Sequence, residues 1–278
     1  MIILAHDGSI YSDWVARYAT YFAAFEPDRK LLVLHVMDGK VSEELVEARL
    51  EALQEACRQY SVEFLSELLP LGKSVHRSLR QAVPHDPEAL LVCGTRIKPR
   101  KQAFLAGSIS EKLLKMHECP VAALRIVQPG LLGTPHDLLL ALTGREECAA
   151  AVRPLLKRFA PRLRRLHLLR VLAINHVRHP HLTPSRERLL LQEGHQFVNN
   201  VLTELATEVA GRSLVTDRCV RVAPDWANEI LVYASRIKAQ ILLLEASEQT
   251  LAHRVFRNLD LERILRETCC DVAIYRGP

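Results

Sequence analysis

Residues 91–125, "LVCGTRIKPRKQAFLAGSISEKLLKMHECPVAALR", overlay residues 242–276, "LLLEASEQTLAHRVFRNLDLERILRETCCDVAIYR", without a gap and at a constant offset of 151. Leu113-Leu114 falls on Ile264-Leu265, Glu111 on Glu262 and Val121-Ala122 on Val272-Ala273. The starts of the two halves also agree: "MIILAHDG" (1–8) matches "DLLLALTG" (137–144), and "RKLLVLHV" (29–36) matches "RRLHLLRV" (164–171). Self-similarity over such distances is the mark of an internal duplication, so whatever one half folds into the other must be able to fold into as well.

Within each half, short apolar runs alternate with helical patterns. "IILAH", "KLLVLHV", "ALLVCG" and "CPVAALRIV" are continuous rather than alternating, as expected of strands buried on both faces. Trp14, Val15, Tyr18, Ala19 and Phe22 recur at helical spacing behind the turn Asp7-Gly8-Ser9. In the second half a long helix is expected to start at Thr183-Pro184-Ser185, then a strand over 217–223 and a helix from "PDWANEILVYASRIKA". Strand and helix in alternation specify an α/β fold. The expected architecture is two tandem doubly wound, Rossmann-like domains, each a mostly parallel sheet of about five strands with helices on both faces. "QPGLLGTPH" (128–136) gathers Pro and Gly into a linker, giving domains 1–127 and 137–278. Residues 41–69 read as one long amphipathic helix, with Leu45, Leu53, Ala56, Tyr60 and Phe64 near one stripe. The interval 71–88 is then too short for both a strand and a helix, so the first half is expected to lack one of them.

Composition narrows the function classes. The formal charge of +5 comes from interspersed acids and bases, without the massed cations of a nucleic-acid surface. No apolar run approaches the roughly 20 residues that span a bilayer, and the N-terminus lacks the basic region of a signal peptide. The seven cysteines (57, 93, 119, 148, 219, 269 and 270) contain no CxxC pair and are expected to be reduced, mostly buried thiols, which places the protein in the cytoplasm. "HVRHPH" carries His176, His179 and His181, read as a histidine-rich loop rather than a metal site. No nucleophile–base motif is present, so the chain is not expected to be an enzyme beyond slow hydrolysis of a bound nucleotide.

"ILAHDGS" at the start, and "VCGTRIKPRKQAFLAGSISEKLLKMHECPVAALR" closing the first half, resemble the universal stress proteins in their tandem two-domain form. ATP-binding members of that family carry Gly, two residues, Gly, nine residues, then Gly followed by Ser or Thr. Here Gly94 takes the first place, Ile97 stands where the second Gly would be, and Gly107-Ser108 completes the pattern. The resemblance implies an adenine contact at Asp7 and backbone contacts to the same base at Val36. It also implies ATP, with Mg, as the ligand, a stress-response role, and pairing of the last strands as an intramolecular pseudo-dimer or between chains as a homodimer.

Two readings of the loop stand side by side. Gly107-Ser108 suits phosphate, because glycine lets backbone N–H groups approach and a helix start adds partial positive charge. Ser108 with Glu111 is equally a capping box that merely starts a helix. Arg96, Lys98, Arg100 and Lys101 would attract polyphosphate or form a solvated loop, while Ile97, β-branched, opposes close backbone contact. Asp7 is either a ligand for adenine or a turn residue ahead of a helix. In the second half Asp7 becomes Thr143, Gly94 becomes Glu245, Ile97 becomes Glu248 and Gly107-Ser108 becomes Asn258-Leu259, a set that should not bind ATP. The alternative function is a scaffold that binds no nucleotide and acts through protein contacts.

Overall fold

A computed structural model describes residues 1–95, 108–131, 133–145, 147–175, 179–206, 214–246 and 258–277. The chain divides into two compact units, Met1–Thr134 with Ile274–Pro278, and Pro135–Ala273. In the first unit the elements are β1 (Ile2–Ala5), α1 (Ile10–Phe25), β2 (Lys30–Met37), α2 (Glu43–Gln59), β3 (Glu63–Pro70), α3 (Val75–Ala82), β4 (Leu90–Gly94), α4 (Ile109–Leu114) and β5 (Val121–Arg125). The strand order is β3-β2-β1-β4-β5, and each of these neighbouring pairs is parallel. Parallel crossovers are right-handed. The steps β1→β2→β3 and β3→β4→β5 move in opposite directions along the sheet, which puts α1 and α2 on one face and α3 and α4 on the other.

The second unit repeats this plan with β6 (Asp137–Leu142), α5 (Cys148–Phe159), β7 (Arg165–Ala173), α6 (Pro184–Glu204), β8 (Val215–Ala223), α7 (Trp226–Arg236), β9 (Ile241–Glu245), α8 (Asn258–Glu267) and β10 (Asp271–Arg276). Its order is β10-β9-β6-β7-β8, with β6 parallel to β7 and β9 and β7 parallel to β8. β4 and β9 begin at 90 and 241, the offset of the sequence repeat.

The local causes are visible at each end of α1. Ser9 caps it, its Oγ accepting from the Ser12 amide at 3.4 Å, and Asp13 lies in the positive first turn. Glu26 turns extended (ψ 149°) because Pro27 follows and disfavours helix in the residue before it. Val15, Tyr18, Ala19 and Phe22 are buried against the sheet, whereas Trp14 is only half-buried. Burying a side chain the size of Phe22 contributes roughly 1.5–3 kcal/mol. In the second unit Thr183 Oγ1 caps α6 at the Arg186 amide (3.3 Å), with Pro184 in the first turn as the sequence indicates.

One expectation is corrected. Residues 41–69 are not a single helix: α2 stops at Gln59 and 63–70 form β3, parallel to β2 from Lys30↔Glu63 to Met37↔Pro70. The first unit therefore lacks neither strand nor helix. The stop is a Schellman turn, with the Val62 amide on Cys57 O (2.9 Å), the Ser61 amide on Arg58 O (3.0 Å) and Ser61 left-handed at φ 55°. Glycine usually marks that position, and serine conceals it. β3 ends the unit's strand order and is mostly exposed, so "EFLSELL" shows no apolar alternation and its Glu and Leu suggest helix instead. The buried stripe of α2 is Val46, Leu50, Leu53, Ala56 and Cys57, with Leu45 and Tyr60 exposed. Ser61→Gly is expected to stabilise the protein by about 1 kcal/mol, since the left-handed conformation costs an L-residue roughly 1–2 kcal/mol; chemical denaturation measures it.

None of the seven cysteines is in a disulfide; five are buried, Cys219 is half-buried and Cys269 exposed. Among the described residues no helix is long and apolar enough to cross a membrane, and no three His, Cys, Asp or Glu side chains gather as metal ligands. His179 and His181 lie on a single 3-10 turn ahead of α6, and His176 falls outside the described residues.

Candidate functional site

Because β1 and β4 are adjacent and their chains leave toward opposite faces, a crevice opens at the carboxyl ends of the strands, the place where open α/β sheets hold ligands. In the first unit a cavity of about 720 Å³ lies there. Its wall includes Asp7 and Ser9 after β1, Val36, Asp38 and Lys40 at the end of β2, Gly94 and Thr95 at the end of β4, Ser108 and Ser110 at the start of α4, and Arg125 at the end of β5. Four residues singled out in the sequence, Asp7, Val36, Gly94 and Ser108, thus share one cavity. Ile97 and Gly107, with Arg96, Lys98, Arg100 and Lys101, lie outside the described residues.

The turn after β1 is rigidly built. Gly8 is left-handed (φ 77°), and a Cβ there would come within 3.1 Å of Val41. Asp7 Oδ1 accepts from the Ser9 amide (3.1 Å), the Ser9 hydroxyl (2.6 Å) and the Ser12 hydroxyl (2.6 Å). Asp7 is therefore a turn residue, with Ser9 rather than Asp7 capping α1. His6 is buried beneath the turn: its Nδ1 accepts from the Gly8 amide (3.1 Å), which puts the proton on Nε2, where it is donated to Asp13 Oδ1 (3.0 Å). Asp13 also pairs with Arg49. His35 Nδ1 donates to the His6 carbonyl (2.8 Å), locking β2 to β1.

Both ring nitrogens of His6 are thus engaged, which leaves it poorly suited to act as a general base. Burial pushes the Cys93 thiol in the cavity wall up to about 12, so it supplies no thiolate nucleophile at neutral pH. Asp38 is held below the usual carboxylate range by its hydrogen bond to Lys40. The Val36 carbonyl accepts from the Asp38 amide (2.8 Å), using one of its two lone pairs.

The far end of the cavity carries hydroxyls and a cation. Ser108 Oγ caps the six-residue α4 by accepting from the Glu111 amide (3.0 Å) and lies 3.1 Å from Ser110 Oγ. A Cβ on Gly94 would make only an ordinary contact with Val15 at 3.4 Å, so the sheet itself does not require glycine there. Thr95 Oγ1 is buried without a hydrogen-bond partner among the described residues. Arg125 is a buried guanidinium. Thr95, Arg125, Asp38 and Lys40 belong to no motif in the sequence; the signal that could have found them is position, each standing at or just beyond the carboxyl end of a strand.

Residues 1–125 match the Universal stress protein family. A universal stress protein from Archaeoglobus fulgidus DSM 4304 superposes with a TM-score of 0.60 at 15% identity, over 99% of this chain and 96% of its own. A putative universal stress protein from Pseudomonas aeruginosa UCBPP-PA14 gives 0.63 at 15% identity, over 98% and 92%. The cytoplasmic domain of a prokaryotic cation chloride cotransporter gives 0.58 at 10% identity, over 99% and 95%. At such identities the likeness is one of fold, and it extends across both halves of the chain. No curated protein matches it.

At the corresponding place in the second unit, between β6 and β9, the chain's own polar side chains bond to one another and to the backbone. Glu245, buried at the position of Gly94, accepts from Thr143 Oγ1 (2.9 Å) and Arg145 Nη1 (3.2 Å). Arg170 stands opposite His35 in the repeat and makes the equivalent bond, its Nη1 donating to the Leu142 carbonyl at 3.2 Å. Its guanidinium lies so directly over Gly144 that a Cβ there would collide with it. Glu248 falls outside the described residues.

Proposed function

We propose that domain 1–127 binds an adenine nucleotide with low affinity, ATP with Mg as its counter-ion, and that domain 137–278 is a degenerate copy with a structural role. The observation that carries this is the cavity of about 720 Å³ at the β1–β4 switch point, within the roughly 300–1,000 Å³ of small-ligand sites. The base is assigned to Asp7 and to the second lone pair of the Val36 carbonyl. The phosphates are assigned to Gly94 and Ser108 and to the loop that holds Ile97 and Gly107. Mg would add neutralisation of the phosphates when bound. With His6 engaged and Cys93 protonated, the domain binds rather than turns over its ligand. The protein is then a cytoplasmic stress-response regulator, its two domains paired as an intramolecular pseudo-dimer through 121–125 and 272–276. Nucleotide occupancy is read by partner proteins through a difference in affinity between two states.

A second reading, a scaffold without nucleotide, draws on the second unit, where Glu245 stands in the place of Gly94 and Arg170 lies over Gly144. Thermal unfolding with Mg-ATP, AMP and a GTP control separates the two. A ligand at a hundred times its dissociation constant adds about 2.7 kcal/mol, a shift of several degrees. The nucleotide reading expects that shift with adenine nucleotides; no shift at millimolar ligand favours the scaffold.

A further inference from the structure

We propose that His167 is a pH-sensitive latch between α7 and the sheet of the second unit: neutral, its ring packs beneath the helix; protonated, it becomes a buried cation there and α7 loosens. On the other face of this sheet, Gly194 of α6 lies against Leu172 and Val220, and Phe197 against Arg170, so the even-numbered residues of β7 and β8 face α6. His167 is on the opposite face, its side chain 5% exposed and its ring edge-on to Tyr233 of α7 at 6.5 Å. Neither ring nitrogen is in a hydrogen bond among the described residues; Nδ1 lies 3.2 Å from Oδ2 of the exposed Asp217, which is opposite His167 on β8. The first unit supplies the comparison. In the overlay of "RKLLVLHV" on "RRLHLLRV", Leu32 stands in the place of His167, and it pairs with Ile3 as His167 pairs with Leu139. Leucine satisfies the packing at that point of the fold; what imidazole adds is a proton that can come and go near neutral pH.

Burial pushes the His167 imidazole below its ordinary range, by more than the Asp217 carboxylate raises it. The other charged and titratable groups around it have partners of their own. Arg165 of β7 pairs with Asp137 of β6; on α7, Arg236 lies over the Tyr233 ring at 4.9 Å, and Tyr233 bonds to Cys219 of β8. The unfolded chain therefore takes up the proton at a higher pH than the folded one. The stability that neutral His167 confers is complete above the ordinary histidine value and is lost as pH falls through the folded one. Lifting α7, the helix the ring touches, admits water to the cation.

The test is a titration of the full chain from about pH 7.5 to about pH 5, read by NMR of the histidine rings, thermal unfolding and amide exchange, in wild type, His167→Leu and Asp217→Asn. The ring signal that His167→Leu lacks is expected to titrate below the ordinary histidine value. The wild-type unfolding midpoint should fall by a few degrees more over that range than the midpoint of His167→Leu, the other histidines being common to both. Asp217→Asn removes the counter-charge and should steepen the fall. Amide exchange, corrected for its intrinsic pH dependence, should quicken in 226–236 at the acid end while α1 stays protected, and should not do so in His167→Leu. His167→Gln serves in the same way if the leucine variant does not fold. No step of the test needs a nucleotide, so its outcome is independent of the site in the first unit. Parallel unfolding curves for wild type and variant, a His167 signal that titrates at or above the ordinary value, or exchange that quickens equally in α1 and α7 overturns the latch.

Discussion

Asp7→Ala is expected to abolish the stabilisation by ATP and to destabilise the unliganded protein by about 2 kcal/mol, whereas Asp7→Asn loses the first and keeps most of the second. Oδ1 of Asp7 accepts from one amide and two hydroxyls, all of which hold the turn between β1 and α1. At a net worth of about 1 kcal/mol per hydrogen bond, discounted for exposure, truncation costs roughly that much. Asparagine preserves Oδ1 but puts an NH2 in place of the second oxygen. An acceptor for the adenine amino group then becomes a donor facing a donor, which should weaken binding by about 10–100-fold. Urea denaturation of the two variants reads the turn, and titration with Mg-ATP reads the site. If Asp7→Asn binds ATP as wild type does, Asp7 is a turn residue and nothing more.

Gly133→Ala should be the more damaging change to stability, at about 3 kcal/mol. Gly133 is left-handed at φ 76°, and a Cβ there would lie 2.7 Å from the carbonyl oxygen of Arg17, in the backbone of α1. Left-handed strain contributes roughly 1–2 kcal/mol and overpacking against atoms that cannot rotate away another 1–3 kcal/mol. The midpoint of thermal unfolding should drop by roughly 10 °C. Gly130→Ala is the control: it has nothing within 4 Å of the new methyl and should be close to silent.

How much of this was legible in the sequence depended on what each residue has to do. The duplication was plain because the strand–helix–strand at 91–125 and 242–276 must bury the same faces, and β4 with β9 and β5 with β10 follow it. Asp7, Val36, Gly94 and Ser108 could be picked out because the resemblance to the universal stress proteins marks their positions, and all four line one cavity. Thr95 and Arg125 could not, since one hydroxyl and one cation at strand ends are unremarkable until burial is known. β3 was hidden by a helix stop built on Ser61 in place of glycine, and by an edge position that leaves Leu65 and Leu68 exposed. α5, which holds Pro154 in its interior, drew no assignment because proline usually ends a helix. In the second unit, Glu245 and Thr143 could be read as replacements of Gly94 and Asp7, but that Arg170 would cover Gly144 is a three-dimensional fact.

Isothermal titration of the full chain with Mg-ATP decides whether the first domain holds a single adenine-nucleotide site. One ATP is expected to bind per chain, competed by AMP and not by GTP, with the heat lost in Asp7→Asn. Two ATP per chain, equal binding of GTP, or no heat at millimolar nucleotide would contradict it.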